Sequence, residues 1–380
     1  MIMKIVVDDK IPFLQGVFEP FAEVVYLQGS KINRTELKNA DALIIRTRTI
    51  CNNELLENTS VKFIATATIG YDHIDTKWCD ANGIKWTNAE GCNASSVMQY
   101  LASALVFLSK KHGFKFSDRT LGVVGVGNVG RKVVKLGEIL GMRIVLNDPP
   151  LVRKLGPCGF ISLDGIIREA DIITLHVPLN LDGEDKTFHL FNESVLKKLN
   201  TGTFLINSSR GEVVNNKSLK DMLISNRLHG AVLDVWENEP EIDLELMKKL
   251  DIGTPHIAGY SVDGKANGTA MSVRALSKFF NLGIDNWFPG KLPLPSLQII
   301  EIDAKGKTEQ EILCQAIEST YKVADDDKRL RNNPKDFEKQ RVDYPVRREF
   351  QAYTVKVKNG TSEMTEKLKR LGFNVVDVQN

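Results

Sequence analysis

The sequence predicts an α/β protein with two doubly wound parallel-sheet domains, one flavodoxin-like and one Rossmann, and a small α+β domain at the C-terminus. Three observations carry this prediction. Short apolar β-rich runs alternate with helical segments through most of the chain. A glycine-rich turn opens a second βα series in mid-chain. A proline-rich stretch then precedes a tail of different texture.

The first series consists of "KIVVDD", "AEVVYLQ", "DALIIRT", "VKFIATAT" and "IKWTN", spaced roughly every twenty residues. Apolar strands separated by helices imply parallel βαβ units buried on both faces. "NASSVMQYLASALVFLSKKHG" follows, a long helix that Asn93 can cap at its start and Gly113 at its end. Its length and apolarity predict a path between two domains.

The second series has strands "TLGVVGVG", "RIVLND", "DIITLHV", "TFLINSS", "GAVLDV" and "DIGTPHI". Between them, Asn192 and Glu193 open the helix "NESVLKKLN", and "NNKSLKDMLISNR" forms another. After His256, "VDGKANGTAMSVRALSKFFNLG" predicts one more helix that returns the chain to the first domain. "NWFPGKLPLPS" holds three prolines in eleven residues and reads as a linker. The tail beyond it predicts charge-rich helices and, from "AYTVKVKNG" to "GFNVVDV", strand, helix, strand. The expected domains are therefore residues 1–95 with 258–284, residues 96–257, and residues 285–380 at the C-terminus.

Bulk properties narrow the function. The 380 residues carry a net charge of only +2, too little to recruit nucleic acid. The five cysteines are scattered without a CxxC pair, so neither a disulfide framework nor a metal site is expected. "MIMKIVVDDK" meets an acidic pair before an apolar signal core could form, and no run approaches the ~18 apolar residues of a membrane span. A cytoplasmic enzyme with no membrane partner is the expectation.

"GVVGVGNVG" places Gly125, Gly127 and Gly130 as GxGxxG, directly after a strand and opening a helix. The first glycine permits the tight turn, the second admits a pyrophosphate, and the third allows close helix–strand packing. The amides of Asn128 and Val129 then face the phosphates from a positive helix end. Asp148 ends the next strand, eighteen residues after Gly130, where a carboxylate accepts from an adenosine ribose and repels a 2′-phosphate. "DPP" offers no arginine there, so NAD is the expected cofactor.

Three later strand ends carry Arg210 in "NSSRGEVVN", Asp234 and Glu239 in "LDVWENEP", and His256 in "TPHIAGY". Oxidation of an alcohol needs a base for the hydroxyl proton, and histidine titrates near working pH. A carboxylate on its other ring nitrogen holds the imidazole, and an arginine grips a substrate carboxylate in bidentate fashion. Arg210, Glu239 and His256 supply one of each. His73, His176 and His189 lack this company and read as structural, while His112 and His229 read as helix-end residues.

With spacings of 29 and 17 residues, the "RG", "EP" and "PH" segments and the GxGxxG resemble the D-isomer-specific 2-hydroxyacid dehydrogenases. That resemblance implies that Arg210 binds substrate, Glu239 supports His256, and His256 is the acid/base. It also implies that Asp234 faces the nicotinamide and that Ser208, Ser209 and Gly259 line the cofactor. "RTRT", "FIATATIGYDHID", "AEGCNASSVMQYL" and "DYPVRREF" are similar to one branch of the family, which takes a phosphorylated 2-hydroxy acid and dimerises through a C-terminal domain. By that likeness Thr47, Thr68 and Tyr260 contact substrate, and the chain forms a homodimer. Arg46 and Arg48 could meet a substrate phosphate. Val177 stands where a threonine would touch the cofactor, so any contact there is backbone or apolar. The alternatives are 3-phosphoglycerate or another D-2-hydroxy acid as substrate, or an NAD-sensing binding protein.

Overall fold

A computed structural model describes residues 2–378, and their contacts divide the chain into two compact units. Residues 1–93 with 261–293 form the first; 94–260 with 294–380 form the second.

In the first unit, β1 (Met3–Asp8), β2 (Ala22–Leu27), β3 (Ala42–Ile45), β4 (Phe63–Thr66) and β5 (Lys85–Asn88) make a parallel sheet in the order β2-β1-β3-β4-β5. This is the flavodoxin-like order expected of alternating strands and helices. β1, β3 and β4 are apolar and buried almost throughout because both faces are covered. One face packs Val6, Leu43, Ile45 and Ile64 among helix side chains. The other packs Ile5, Val7, Ile44 and Ala65 against Val273 and Leu276 of the helix Val262–Phe280. That helix belongs to the first unit.

In the second unit, β6 (Thr120–Val124), β7 (Arg143–Asn147), β8 (Ile172–Leu175), β9 (Phe204–Asn207), β10 (Gly230–Leu233) and β11 (Ile252–Gly253) form a parallel sheet. Its order is β11-β10-β9-β8-β6-β7, so connections leave β6 in opposite directions. The switch point between β6 and β8 is where such sheets bind ligands, beyond the carboxyl ends of the strands. β9, β10 and β11 are neighbours, so the loops that follow them start side by side.

The long helix is Ala94–His112, and nearly all of it is buried. Three of its polar side chains bond to the C-terminal residues. Ser96 Oγ donates to Glu349 Oε1 at 2.7 Å, Gln99 Nε2 to the Arg348 carbonyl at 2.9 Å, and Ser103 Oγ to the Tyr321 carbonyl at 3.0 Å. Residues 294–380 thus share the core of the second unit, where Ile300, Leu313, Ile317 and Tyr353 join Leu101 and Leu105. Gly113, at φ +67°, ends the helix as expected, but Asn93 does not cap it. Its Oδ1 is buried and makes no hydrogen bond among the described residues.

The tail's strand, helix, strand are β13 (Thr354–Lys358), Ser362–Leu371 and β14 (Asn374–Val378). A strand that the sequence reading missed, β12 (Ile299–Asp303), pairs with β13 to complete a three-stranded parallel sheet. Only Ile300 and Ile302 of β12 are buried, so its apolar signal is short and lies close to the proline-rich linker.

Candidate active site

The glycine loop is built as its sequence implies. Gly125 sits at φ +87°, and a side chain there would also strike the His176 carbonyl at 2.6 Å. A Cβ on Gly130 would lie 2.0 Å from the Gly125 carbonyl, so only glycine lets the helix Asn128–Ile139 start this close to β6. Gly127 differs: a Cβ there would meet no protein atom within 4 Å. The space over Gly127 is open, as a pyrophosphate lying against the backbone requires. Val177 packs beside this turn, with its side chain 2.9 Å from the position of a Gly125 Cβ.

Asp148 follows β7 and braces the loop. Its Oδ2 accepts from the Val126 amide at 2.7 Å, while Oδ1 caps the next helix through the Leu151 amide at 2.9 Å. At the end of β9, Ser208 Oγ is buried and has no hydrogen-bond partner among the described residues, so it is a polar atom awaiting a ligand. Ser209 Oγ turns instead to Asn207 Oδ1 at 2.8 Å. The open backbone at Gly127 and the unpartnered Ser208 hydroxyl both fit a bound dinucleotide.

The three expected loops meet on adjacent strand ends. Gly211 packs so tightly on the next loop that a Cβ would lie 2.0 Å from the Trp236 carbonyl, which sets Arg210 beside the Asp234–Glu239 segment. Arg210 has its Nη1 2.9 Å from the Ser209 carbonyl. Glu239 bridges two partners: Oε1 accepts from the Trp236 amide at 2.9 Å, and Oε2 lies 2.8 Å from His256 Nδ1. Burial opposes ionisation of Glu239, yet the bonds from His256 and Trp236 and the nearby Arg341 charge hold its carboxyl below the ordinary range. His256 Nδ1 is thereby occupied, and Nε2 is the nitrogen left for a substrate.

The loop carrying His256 is held under constraint. His256 has φ 55°, in the left-handed region that a non-glycine residue adopts only when its surroundings dictate it. Its amide donates to the Asp234 carbonyl at 2.7 Å. The Asp234 carboxylate accepts from Thr254 Oγ1 (2.6 Å), the Ile257 amide (2.8 Å) and the Ala258 amide (2.8 Å). Burial raises the Asp234 carboxyl above its usual range, against the opposing pull of His256 and these donors. Resemblance assigned Asp234 to the nicotinamide; in the structure its three bonds make it the anchor of the histidine loop. Trp236 sits beneath, with Nε1 donating to the Thr254 carbonyl at 2.9 Å. Trp236, Thr254 and Gly211 were not singled out by sequence, although the buried tryptophan of "LDVW" was a visible signal.

Gly259 and Tyr260 follow directly on this anchored stretch, and Tyr260 packs edge-on to Tyr344 with centroids 5.8 Å apart. Thr47 and Thr68 belong to the first unit, just past the ends of the adjacent strands β3 and β4. Thr47 is exposed, and the Thr68 hydroxyl lies 2.8 Å from that of Thr66. Arg46 pairs at 3.7 Å with the buried Asp8. The remaining histidines have local partners: His176 with Thr174, His73 with Thr66, His189 with Glu237, and His112 with Asp251 and His229.

A switch-point glycine loop and a carboxylate-held imidazole on one sheet edge can bring a dinucleotide and a proton acceptor to the same alcohol. The class defined is an NAD-dependent dehydrogenase. Residues 99–258 match the NAD-binding domain of the D-isomer specific 2-hydroxyacid dehydrogenases, and residues 293–372 match a domain of unknown function. The erythronate-4-phosphate dehydrogenase of Bacteroides thetaiotaomicron is 47% identical over 354 residues, covering 93% of this chain and 99% of that protein. The enzyme of the same name from Escherichia coli is 41% identical over 377 residues, covering 98% and 99%. Among solved structures, D-lactate dehydrogenase from Aquifex aeolicus, complexed with NAD and lactic acid, is 26% identical with a TM-score of 0.58. It covers 75% of this chain and 98% of its own. The NAD⁺-bound 3-phosphoglycerate dehydrogenase of Entamoeba histolytica shares the fold at 24% identity and TM-score 0.63, covering 77% of this chain and 100% of its own. The chain belongs to the D-isomer specific 2-hydroxyacid dehydrogenases, in their erythronate-4-phosphate dehydrogenase branch, and NAD is its cofactor.

Proposed function

We propose that this enzyme oxidises 4-phospho-D-erythronate to (R)-3-hydroxy-2-oxo-4-phosphooxybutanoate, a step in the route to pyridoxal 5′-phosphate that the resemblance implies. The observation that carries the reading is the His256–Glu239 pair, set on a chain 47% identical to a relative of that name. When bound, NAD supplies the hydride acceptor. His256 Nε2 takes the proton from the C2 hydroxyl, and Glu239, on the opposite ring nitrogen, stabilises the imidazolium that results. Arg210 pairs with the substrate carboxylate and polarises the reacting oxygen. Thr47, Thr68 and Tyr260 offer hydroxyls to a polyhydroxy acid.

Gly125, Gly127 and Gly130 would hold the dinucleotide, with the amides of Asn128 and Val129 available to its pyrophosphate. Asp148 has a lone pair on each oxygen for the ribose beyond those used by Val126 and Leu151. Ser208, Ser209, Asp234 and Gly259 complete its surroundings. In this reading the protein is cytoplasmic, and two copies associate through the C-terminal residues. The experiment supplies NAD⁺ and 4-phospho-D-erythronate, with a 2-oxo acid to reoxidise bound cofactor, beside a parallel assay with 3-phosphoglycerate. Turnover of the erythronate ester with a higher kcat/KM is expected; turnover of 3-phosphoglycerate alone, or of neither, overturns the proposal. Sedimentation of the purified protein as a monomer overturns the dimer.

A further inference from the structure

The C-terminal residues, which match a domain of unknown function, reach the histidine loop of their own chain. The Arg347 side chain is buried, and its Nη2 donates to the Ala258 carbonyl at 2.5 Å. Ala258 lies two residues from His256, and its amide is already bonded to Asp234. One peptide segment is therefore gripped from both sides, by the dehydrogenase sheet through Asp234 and by the C-terminal residues through Arg347.

Arg347 is itself fixed in place. Its guanidinium lies 4.6 Å from the centroid of the Tyr321 ring, and its Nη1 donates to Tyr344 Oη at 3.3 Å. Both tyrosine hydroxyls donate to Asp326 Oδ2 at 2.7 Å, and this buried carboxylate also pairs with Arg329 at 2.9 Å. A buried guanidinium is costly unless its surroundings compensate it, and here two aromatic rings and a carboxylate do so. The loop atom that Arg347 engages is the Ala258 carbonyl. A fork of fixed geometry on one carbonyl is a positional constraint on a loop whose histidine sits at φ 55°.

We propose that Arg347 is a positioning residue for His256, and that the C-terminal residues thereby hold the catalytic loop in its working conformation. The inference rests on His256 being the acid/base of the proposed reaction. Turnover by the unaltered protein tests that reading, whereas the variants below, compared with it, test this one.

Arg347→Met and Arg347→Lys are compared with the unaltered full-length protein. Displacing a catalytic group by about 1 Å can lower activity on the order of 10²-fold. Arg347→Met is expected to lose kcat in that range. Arg347→Lys keeps the charge and one hydrogen bond, and recovers part of the loss. A loosened loop also separates His256 from Glu239, so Glu239→Gln lowers kcat by a smaller factor in Arg347→Met than in the unaltered protein. The other charged groups set against this loop are Asp234 beneath it and Arg341, which interacts with Glu239 and stacks 5.7 Å from the Tyr260 ring. Both are present in all three proteins. Amide exchange in residues 253–260 quickens in Arg347→Met. A lower kcat with unchanged exchange and an undiminished effect of Glu239→Gln means lost active protein only, and overturns the proposal, as does full activity in both variants. If only Arg347→Lys is soluble, a native kcat and native amide exchange in that variant overturn it.

Discussion

Glu239 joins two segments of the active loop through one carboxylate: Oε2 lies 2.8 Å from His256 Nδ1, and Oε1 accepts the Trp236 amide at 2.9 Å. The side chain that orients the imidazole is thus itself oriented by the backbone. Glu239→Gln keeps the shape but loses one acceptor and the charge. It is expected to lower kcat on the order of 10²–10⁴-fold, because the imidazolium loses its partner. NAD affinity should stay native, since no Glu239 atom lies at the glycine loop. Steady-state kinetics with a parallel cofactor titration check this; a kcat within twofold of native contradicts it.

Gly211→Ala places a methyl group 2.0 Å from the Trp236 carbonyl. The backbone must separate, carrying Arg210 away from the Glu239 loop. Overpacking of this kind costs about 1–3 kcal/mol of stability, and KM for substrate should rise as Arg210 is displaced. Thermal unfolding and substrate kinetics give the two readouts, and a native value in both rejects the close-packing account.

Gly127→Ala separates binding from folding. The residue has φ −75°, which alanine adopts, and the added methyl meets no protein atom. The free energy of unfolding should remain within about 0.5 kcal/mol of native. NAD should nevertheless bind more weakly, because the methyl occupies space that the pyrophosphate needs. Equal NAD affinity in the variant and the native protein would place the cofactor elsewhere.

His176, beside the glycine loop, carries a pH dependence of stability. Desolvation lowers its imidazole from 6.5 to about 3. The unfolded chain therefore takes up the proton first, so this contribution is complete above about pH 6.5 and declines as pH falls toward 3. The slope from this one group is at most about 1.4 kcal/mol per pH unit. Urea unfolding of the cofactor-free protein between pH 7 and 5 should show it, and His176→Phe should flatten it. An unchanged slope in the variant assigns the acid sensitivity to other groups.

Much of this was legible in the order of residues. The alternation of apolar runs and helices implies parallel sheets because only buried strands are apolar on both faces. Gly125 and Gly130 are readable because a side chain at either would strike the backbone, and Gly127 because a pyrophosphate needs the space that a side chain would fill. Asn192 heads its helix through a bond to the Val195 amide, a local interaction that sequence neighbours suffice to make. Asn93 looked equally suitable and makes no such bond, since its side chain answers to tertiary surroundings.

The sequence by itself determined the two parallel sheets, the glycine loop and the residue types of the Arg210, Glu239 and His256 set, because these depend on local periodicity, backbone permission and side-chain chemistry. Only the tertiary structure decided that Asp234 anchors the histidine loop, that Trp236 orders Glu239, and that Arg347 holds the Ala258 carbonyl. Arg347 and Ala258 stand 89 residues apart, and nothing in either local segment encodes their meeting. Their contact follows from the burial of C-terminal residues against the helix Ala94–His112, a long-range packing outcome that no local pattern reveals.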